Sequence, residues 1–387
     1  MRPHVPAFRA EERKYIWWLS IVTFLSRLAL SLRGEANQAS RLLIDDGYYL
    51  FRCARHLALG QGLTSDGIHP TNGIQPLIVF LEVPFFWVSK PDRWLGVRLC
   101  YVLFALFSAV SVALAARIMG RLRKSDRGLT YTLPDAGSVL ANPVILCAGL
   151  WAFTYTLFTQ LMNGLETGLY TMLILFLIDR YISIEDSGRR SLSQFARYGV
   201  LMGITILARI DALFILLALG VVELVRFRQH ALGRIAALGS VSLLVSSPWW
   251  IFNYVRFGNI IPVSGLSESL GTIPLGTNIV VAITRLANIS VAPFALRYNE
   301  LAVVIQVLLA IGILSALAAL LLRFRLHKAF HRLRNGILVP FGAAAIVLAV
   351  IYVVRFHVPY FIDRYFQPIR IVWLFYASAL FSHFFLQ

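Results

Sequence analysis

Two carboxylates stand side by side at Asp45 and Asp46, just ahead of a helix-like stretch from Tyr48 to Leu59. A carboxylate there can act as general base on a hydroxyl. It can also cap the helix, because free N–H groups and the helix dipole favour an anion. One acid suffices to cap, and adjacent acids repel, so the second points to catalysis or ligand binding. Next come His69-Pro70-Thr71-Asn72-Gly73 and Pro76. Asn-Gly and the prolines read as a turn, while the His69 imidazole can donate to a phosphate. Asn163-Gly164-Leu165-Glu166-Thr167 reads as a capping turn with Glu166 in the first turn of a helix. Ala208-Arg209-Ile210-Asp211 separates two apolar runs. Charges there are costly unless Arg209 and Asp211 pair with each other or serve a function. Asp363, Arg364 and Tyr365 precede the last apolar run. They can anchor a membrane interface or belong to a site.

The elements that must position these residues are apolar. The chain has 387 residues, 58% of them hydrophobic and 14% charged. Soluble domains hold roughly 45–50% apolar residues, so the composition argues for an integral membrane protein. Three separated cysteines, Cys53, Cys100 and Cys147, show no metal-ligand spacing and read as small apolar residues in helices. The first apolar run, Tyr15 to Leu32, has no small-residue cleavage site behind it and reads as a retained membrane helix. Arg27, near its end, is expected to snorkel outward. Spanning segments are expected at 15–32, 95–117, 139–160, 164–182, 194–208, 211–226, 235–254, 300–322, 336–355 and 368–386.

The net charge of +17 first suggests nucleic acid, but in such a chain it reads as orientation. Basic clusters fall at 2–14, 117–127, 180–197, 226–234 and 323–334. All five are cytoplasmic if 76–89 and 275–296 lie in the outer interface and do not span. The expected fold is therefore all-α, a single polytopic domain over 1–387 with about ten membrane helices and both termini cytoplasmic. Two sizeable outer loops result, 33–94 and 255–299. No nucleotide-binding motif follows a strand pattern. Acids and arginines from distant positions gather at the outer ends. One base with several arginines suits an anionic, phosphorylated substrate, for which a phosphorylated lipid is the natural candidate.

At these residues the sequence resembles the polytopic GT-C glycosyltransferases that use polyprenyl-phosphate-linked sugars. It is similar to bacterial members akin to the protein O-mannosyltransferases and the lipid A aminoarabinose transferase. The matching pieces are Asp45-Asp46 with the short helix after them, His69 to Gly73 with Pro76, and Asn163 to Thr167. They continue with Ala208 to Asp211, Asn253-Tyr254-Val255-Arg256-Phe257-Gly258 with Pro262, and Arg364-Tyr365 with Pro368. Many relatives have Asp-Glu where this chain has Asp-Asp.

The resemblance implies an inverting transfer of a sugar from a prenyl phosphate to a hydroxyl of a glycan, lipid or protein, at the outer face of a bacterial plasma membrane. It implies that Asp45 or Asp46 is the base. Arg55, His69, Arg209 and Arg364 are the expected partners of the donor phosphate. Asn72, Glu166, Asp211 and Tyr365 are expected to contact substrate. No cofactor is expected, and two adjacent acids are too thin a set to hold a divalent ion. A transporter or flippase without chemistry is the rival; it would show inverted repeats or broken helices at mid-membrane. An acyl- or phosphotransferase would favour a His-centred or metal cluster, and the eight histidines are scattered.

Overall fold

The computed structural model describes residues 10–32, 43–123, 142–264, 274–291, 336–355 and 362–385. Among the described residues the secondary structure is helical, with one isolated β-bridge between Thr64 and Pro70. The expected span at 300–322 and the basic cluster at 323–334 lie outside the described residues.

Helix α1 is Ala10–Ser31, and the first long connection carries α2, Asp45–Ala58, and α3, Pro76–Val88. The next helix, α4, runs Arg93–Arg123, far longer than the expected 95–117. The expected span at 139–160 is not one helix. It is α5, Pro143–Phe153, and α6, Tyr155–Leu161, bent by 58° at Thr154. A break of this kind was an expectation of the transporter reading, so it does not by itself favour the transferase. Next come α7, Thr167–Ser187, α8, Leu192–Ala208, α9, Ala212–Phe227, and α10, Leu232–Phe257. The described chain ends with α11, Leu275–Val291, α12, Val339–Arg355, the short α13, Ile362–Tyr365, and α14, Gln367–Phe385.

Local sequence sets several of these boundaries. Pro76 and Pro143 occupy the first helical turn of α3 and α5, where a missing N–H costs nothing. The Asn142 side chain accepts from the Val144 and Ile145 N–H groups, capping α5. Ser191 and Gln194 form a reciprocal capping box at the start of α8.

By length and composition α4 and α7 are apolar enough to cross a bilayer, and the α5–α6 pair qualifies if taken as one span. The α3, α8 and α12 helices are apolar but shorter. Large apolar side chains such as Trp18, Val225, Leu244 and Val255 are exposed on the outside of the bundle. Inside, buried residues from α1 to α14 form one extensive apolar core.

The two ends of the bundle differ chemically. At one end Arg123 pairs with Glu12 at 2.6 Å, and Arg117 and Arg121 pair with Asp179 at 3.1 and 3.3 Å. There also, Arg190 joins Glu185 and Glu223, with Arg226 and Arg234 beside them. Three of the five basic clusters thus supply arginines to this one end, and the acid Glu12 lies within a fourth. The opposite end carries the starts of α2, α7 and α9, and α13.

Candidate active site

Helix α2 begins at Asp45 itself. The capping expectation for the acid pair therefore fails: Ile44 holds the cap position, with no side-chain cap hydrogen bond. Both acids lie in the first turn, where the helix dipole still favours them. Gly47 brings α2 against the 163–164 turn. A Cβ on Gly47 would sit 2.8 Å from the Asn163 carbonyl oxygen, so only glycine allows this approach. The Ile44 N–H donates to the same carbonyl at 3.3 Å. Asn163 turns the chain as expected, its Oδ1 accepting from the Leu165 N–H, while Gly164 adopts φ 86°.

The acids then connect to residues far away in sequence. Arg364 Nη1 donates to Asp46 Oδ2 at 3.0 Å, and its Nη2 donates to the Tyr365 hydroxyl at 3.2 Å. Tyr365 stacks on Tyr352 with ring centroids 3.6 Å apart. The Arg209 guanidinium lies over Tyr365 at 4.9 Å and over Tyr170 at 5.6 Å. Arg209 Nε donates to Asp211 at 2.8 Å, and its terminal nitrogens reach Asp211 and Glu166. The Tyr352 hydroxyl donates to the other Asp211 oxygen at 3.0 Å. Glu166, Arg209 and Asp211 are all buried. Asp46 is not: its side chain is 47% exposed, against 15% for Arg364.

Asp46, Glu166, Arg209, Asp211, Arg364 and Tyr365 thus form one continuous network. The expected Arg209–Asp211 pair is present, and Glu166 is added to it. Asp45 lies beside the network, exposed, and makes no hydrogen bond or ion pair with any described residue. Three expected residues lie elsewhere. Arg55 is in the last turn of α2, about 15 Å from Asp45 along the axis at 1.5 Å per residue. His69 is exposed and held by Asp66, Nδ1 to Oδ2 at 2.7 Å. The Asp66 carboxyl is pushed well below the usual range, first by the His69 side chain, then by N–H groups of His69 and Ile68. Asn72 is a clamp between the two long connections: it is fully buried, and its Oδ1 accepts from the Val263 N–H at 3.1 Å. Asn253 holds the other side of that clamp, donating to the Ile260 carbonyl at 3.2 Å. The sequence reading missed Tyr170 and Tyr352, which sit inside apolar runs.

One charged group under the site stays outside the network. Glu82 of α3 is fully buried, and neither carboxyl oxygen has a hydrogen-bond partner among the described residues. Burial, and then the nearby Glu166, push its carboxyl well above the usual range. Among the described residues no three His, Cys, Asp or Glu side chains converge as a metal site would require. Arg27 does not snorkel: it is buried, and the bend at Thr154 takes it up instead.

A cavity of about 550 Å³ opens beside this end of the bundle. Leu57, Leu63, Ile68, Leu77, Phe80, Leu207, Trp249 and Phe252 make it largely apolar, and Arg256 lines it too. The lining includes Leu207 of α8, two residues before Arg209 in sequence, but none of the network residues themselves.

No family model matches the chain, and no curated protein matches it. Among solved structures, ArnT from Cupriavidus metallidurans bound to undecaprenyl phosphate is similar at TM-score 0.57 and 13% identity. The similarity covers 93% of this chain and 59% of ArnT, so the chain spans little more than half the length of that protein. Over most of its length, then, the chain has a fold like that of ArnT.

Proposed function

We propose that the protein is a membrane glycosyltransferase that moves a sugar from a polyprenyl phosphate to an acceptor hydroxyl, with inversion. The observation that carries the reading is the pair Asp46–Arg364, 318 positions apart in sequence, on a fold shared with a protein bound to undecaprenyl phosphate. The network supplies an anion-binding arginine beside two carboxylates, and an apolar cavity opens at the same end of the bundle.

The two acids have different surroundings, and this divides their roles. Asp46 is occupied by Arg364 at 3.0 Å. Asp45 makes no ion pair with any described residue and takes the acceptor proton. The acceptor oxygen attacks the anomeric carbon, the bond to the phosphate oxygen breaks, and the prenyl phosphate departs with the electron pair. Arg364 stabilises that developing charge. As it turns to the phosphate it releases Asp46, which then steadies Asp45 and the acceptor. Arg209, already shared by Glu166 and Asp211, positions Tyr365 and so Arg364. The prenyl chain lies in the cavity, with Arg256 near the headgroup level. Ten spanning helices, with this end of the bundle at the outer face of a bacterial plasma membrane, complete the proposal.

The test is Asp45→Asn and Asp46→Asn, assayed separately in proteoliposomes with a labelled prenyl-phosphate sugar. Loss of the base lowers transfer by about 10²–10⁴-fold, so Asp45→Asn falls by that amount and Asp46→Asn by less. Full activity in both variants would defeat the assignment. Movement of the intact lipid across the bilayer, with no sugar released by the wild type, would favour the flippase.

A further inference from the structure

The bend between α5 and α6 gathers groups that the proposed transfer does not use. Arg27 of α1 is 5% exposed and donates through Nη2 to the Ala152 carbonyl, which the bend has freed from the helical ladder. Its guanidinium also lies 5.2 Å from the centroid of the Phe158 ring. Arg27 therefore straddles the bend, touching α5 on one side of it and α6 on the other. The carbonyl carries only part of a charge. No carboxylate pairs with Arg27 among the described residues, and its Nε has no hydrogen-bond partner.

The neighbouring orphan groups are donors as well. Thr154 and Thr156, within the straddled bend, both have buried hydroxyls without a partner. So do the Trp151 indole N–H, one residue before Ala152, and the Thr23 hydroxyl, one turn before Arg27 on the same face of α1. Thr23, Trp151 and Thr154 are each more than nine-tenths buried. A buried cation with no counter-ion among the described residues, on a bend whose own hydroxyl and N–H donors are unused, has the makings of an anion site. Its depth selects the anion. Arg27 lies four residues from the end of α1, at the end of the bundle that carries the candidate active site, and Phe153 and Tyr155 beside the bend are exposed to the bundle's surroundings.

We infer that Arg27, Thr154 and Thr156 form a second anion site, separate from the Asp46–Arg364 network, that takes the phosphate group of a membrane phospholipid. The site does not depend on the proposed sugar transfer. Helix α6 leads from it to the Asn163 turn on which α2 rests, so lipid bound there braces the segment under Asp45.

Purified, delipidated protein in neutral detergent is the sample, and thermal unfolding is the readout. Three additions are compared: phosphatidylglycerol, a phosphate-free diacyl glycolipid with the same chains, and inorganic phosphate. Phosphatidylglycerol should raise the midpoint of the wild type, and the other two should not. Arg27→Gln should weaken the phosphatidylglycerol response at least about tenfold in concentration, the size of one lost charge-assisted hydrogen bond. Thr154→Val/Thr156→Val, which keeps the cation, should weaken it by less and serves if Arg27→Gln does not fold. An unchanged response in both Arg27→Gln and Thr154→Val/Thr156→Val, or in the latter alone if Arg27→Gln does not fold, overturns the site. An equal rise with the glycolipid means chain packing alone, and an equal rise with inorganic phosphate means a soluble anion; either overturns the lipid assignment.

Discussion

Arg209 sits between Glu166 and Asp211, and removing it leaves two buried carboxylates facing each other. Arg209→Met should therefore cost about 3–5 kcal/mol of stability, the range for breaking a buried pair from one side. Glu82 gives the contrasting case. It is buried with no hydrogen-bond partner among the described residues, and burial disfavours its charged form, so Glu82→Gln breaks no described hydrogen bond or ion pair. Its unfolding midpoint should stay near that of the wild type, and the two variants can be compared in one denaturation series. A large loss in Glu82→Gln would show that the carboxyl has a partner in the membrane. At this scale much of the network was legible in the sequence. Asp45, Asp46, Arg209, Asp211 and Arg364 stand out because charges in an apolar chain need a reason. Tyr352 was not legible, because an aromatic in the run 336–355 reads as lipid-facing. Only the rotation of α12 turns it toward Asp211.

Helices α8 and α10 pack closely because two glycines one turn apart face the partner backbone. A Cβ on Gly199 would lie 2.8 Å from the Leu238 carbonyl oxygen. On Gly203 it would lie 2.7 Å from the Ser242 oxygen and 2.6 Å from Val245 Cβ. Small residues at such spacing let membrane helices approach, so that packing replaces the missing hydrophobic drive. Gly203→Ala should force the helices apart and cost about 1–3 kcal/mol, as overpacking does. The half-buried Gly239→Ala, with open space at its Cβ, should be neutral or slightly stabilising. A steric chymotrypsin or denaturant comparison of the two in detergent would separate them. Helix starts were legible where Asn142-Pro143 and Ser191 announce them. The break at Thr154 was not: Trp151-Ala152-Phe153-Thr154-Tyr155 holds neither proline nor glycine, and an apolar window reads straight across it. The break depends on tertiary partners, chiefly the Arg27 guanidinium on the Ala152 carbonyl.

For the whole molecule, the separation of its two ends carries the orientation. The end holding Glu12, Asp179, Glu185 and Glu223 with their arginines gathers positive charge, and by the positive-inside rule the proposed topology places it in the cytoplasm. In the proposed topology the end holding Asp45 and Arg364 faces outward, where a lipid-linked sugar and its acceptor would meet. Three native cysteines are buried, so added cysteines can report the sidedness with little background. Ile68 is 78% exposed in the loop after α2, and Arg189 is exposed in the turn after α7. With a membrane-impermeant maleimide on intact cells, Ile68→Cys should react and Arg189→Cys should react only after permeabilisation. The reverse pattern would invert the protein and put its acids in the cytoplasm. Reaction of both from one side would mean that the helices between them do not make the odd number of crossings that the two-ended charge distribution requires.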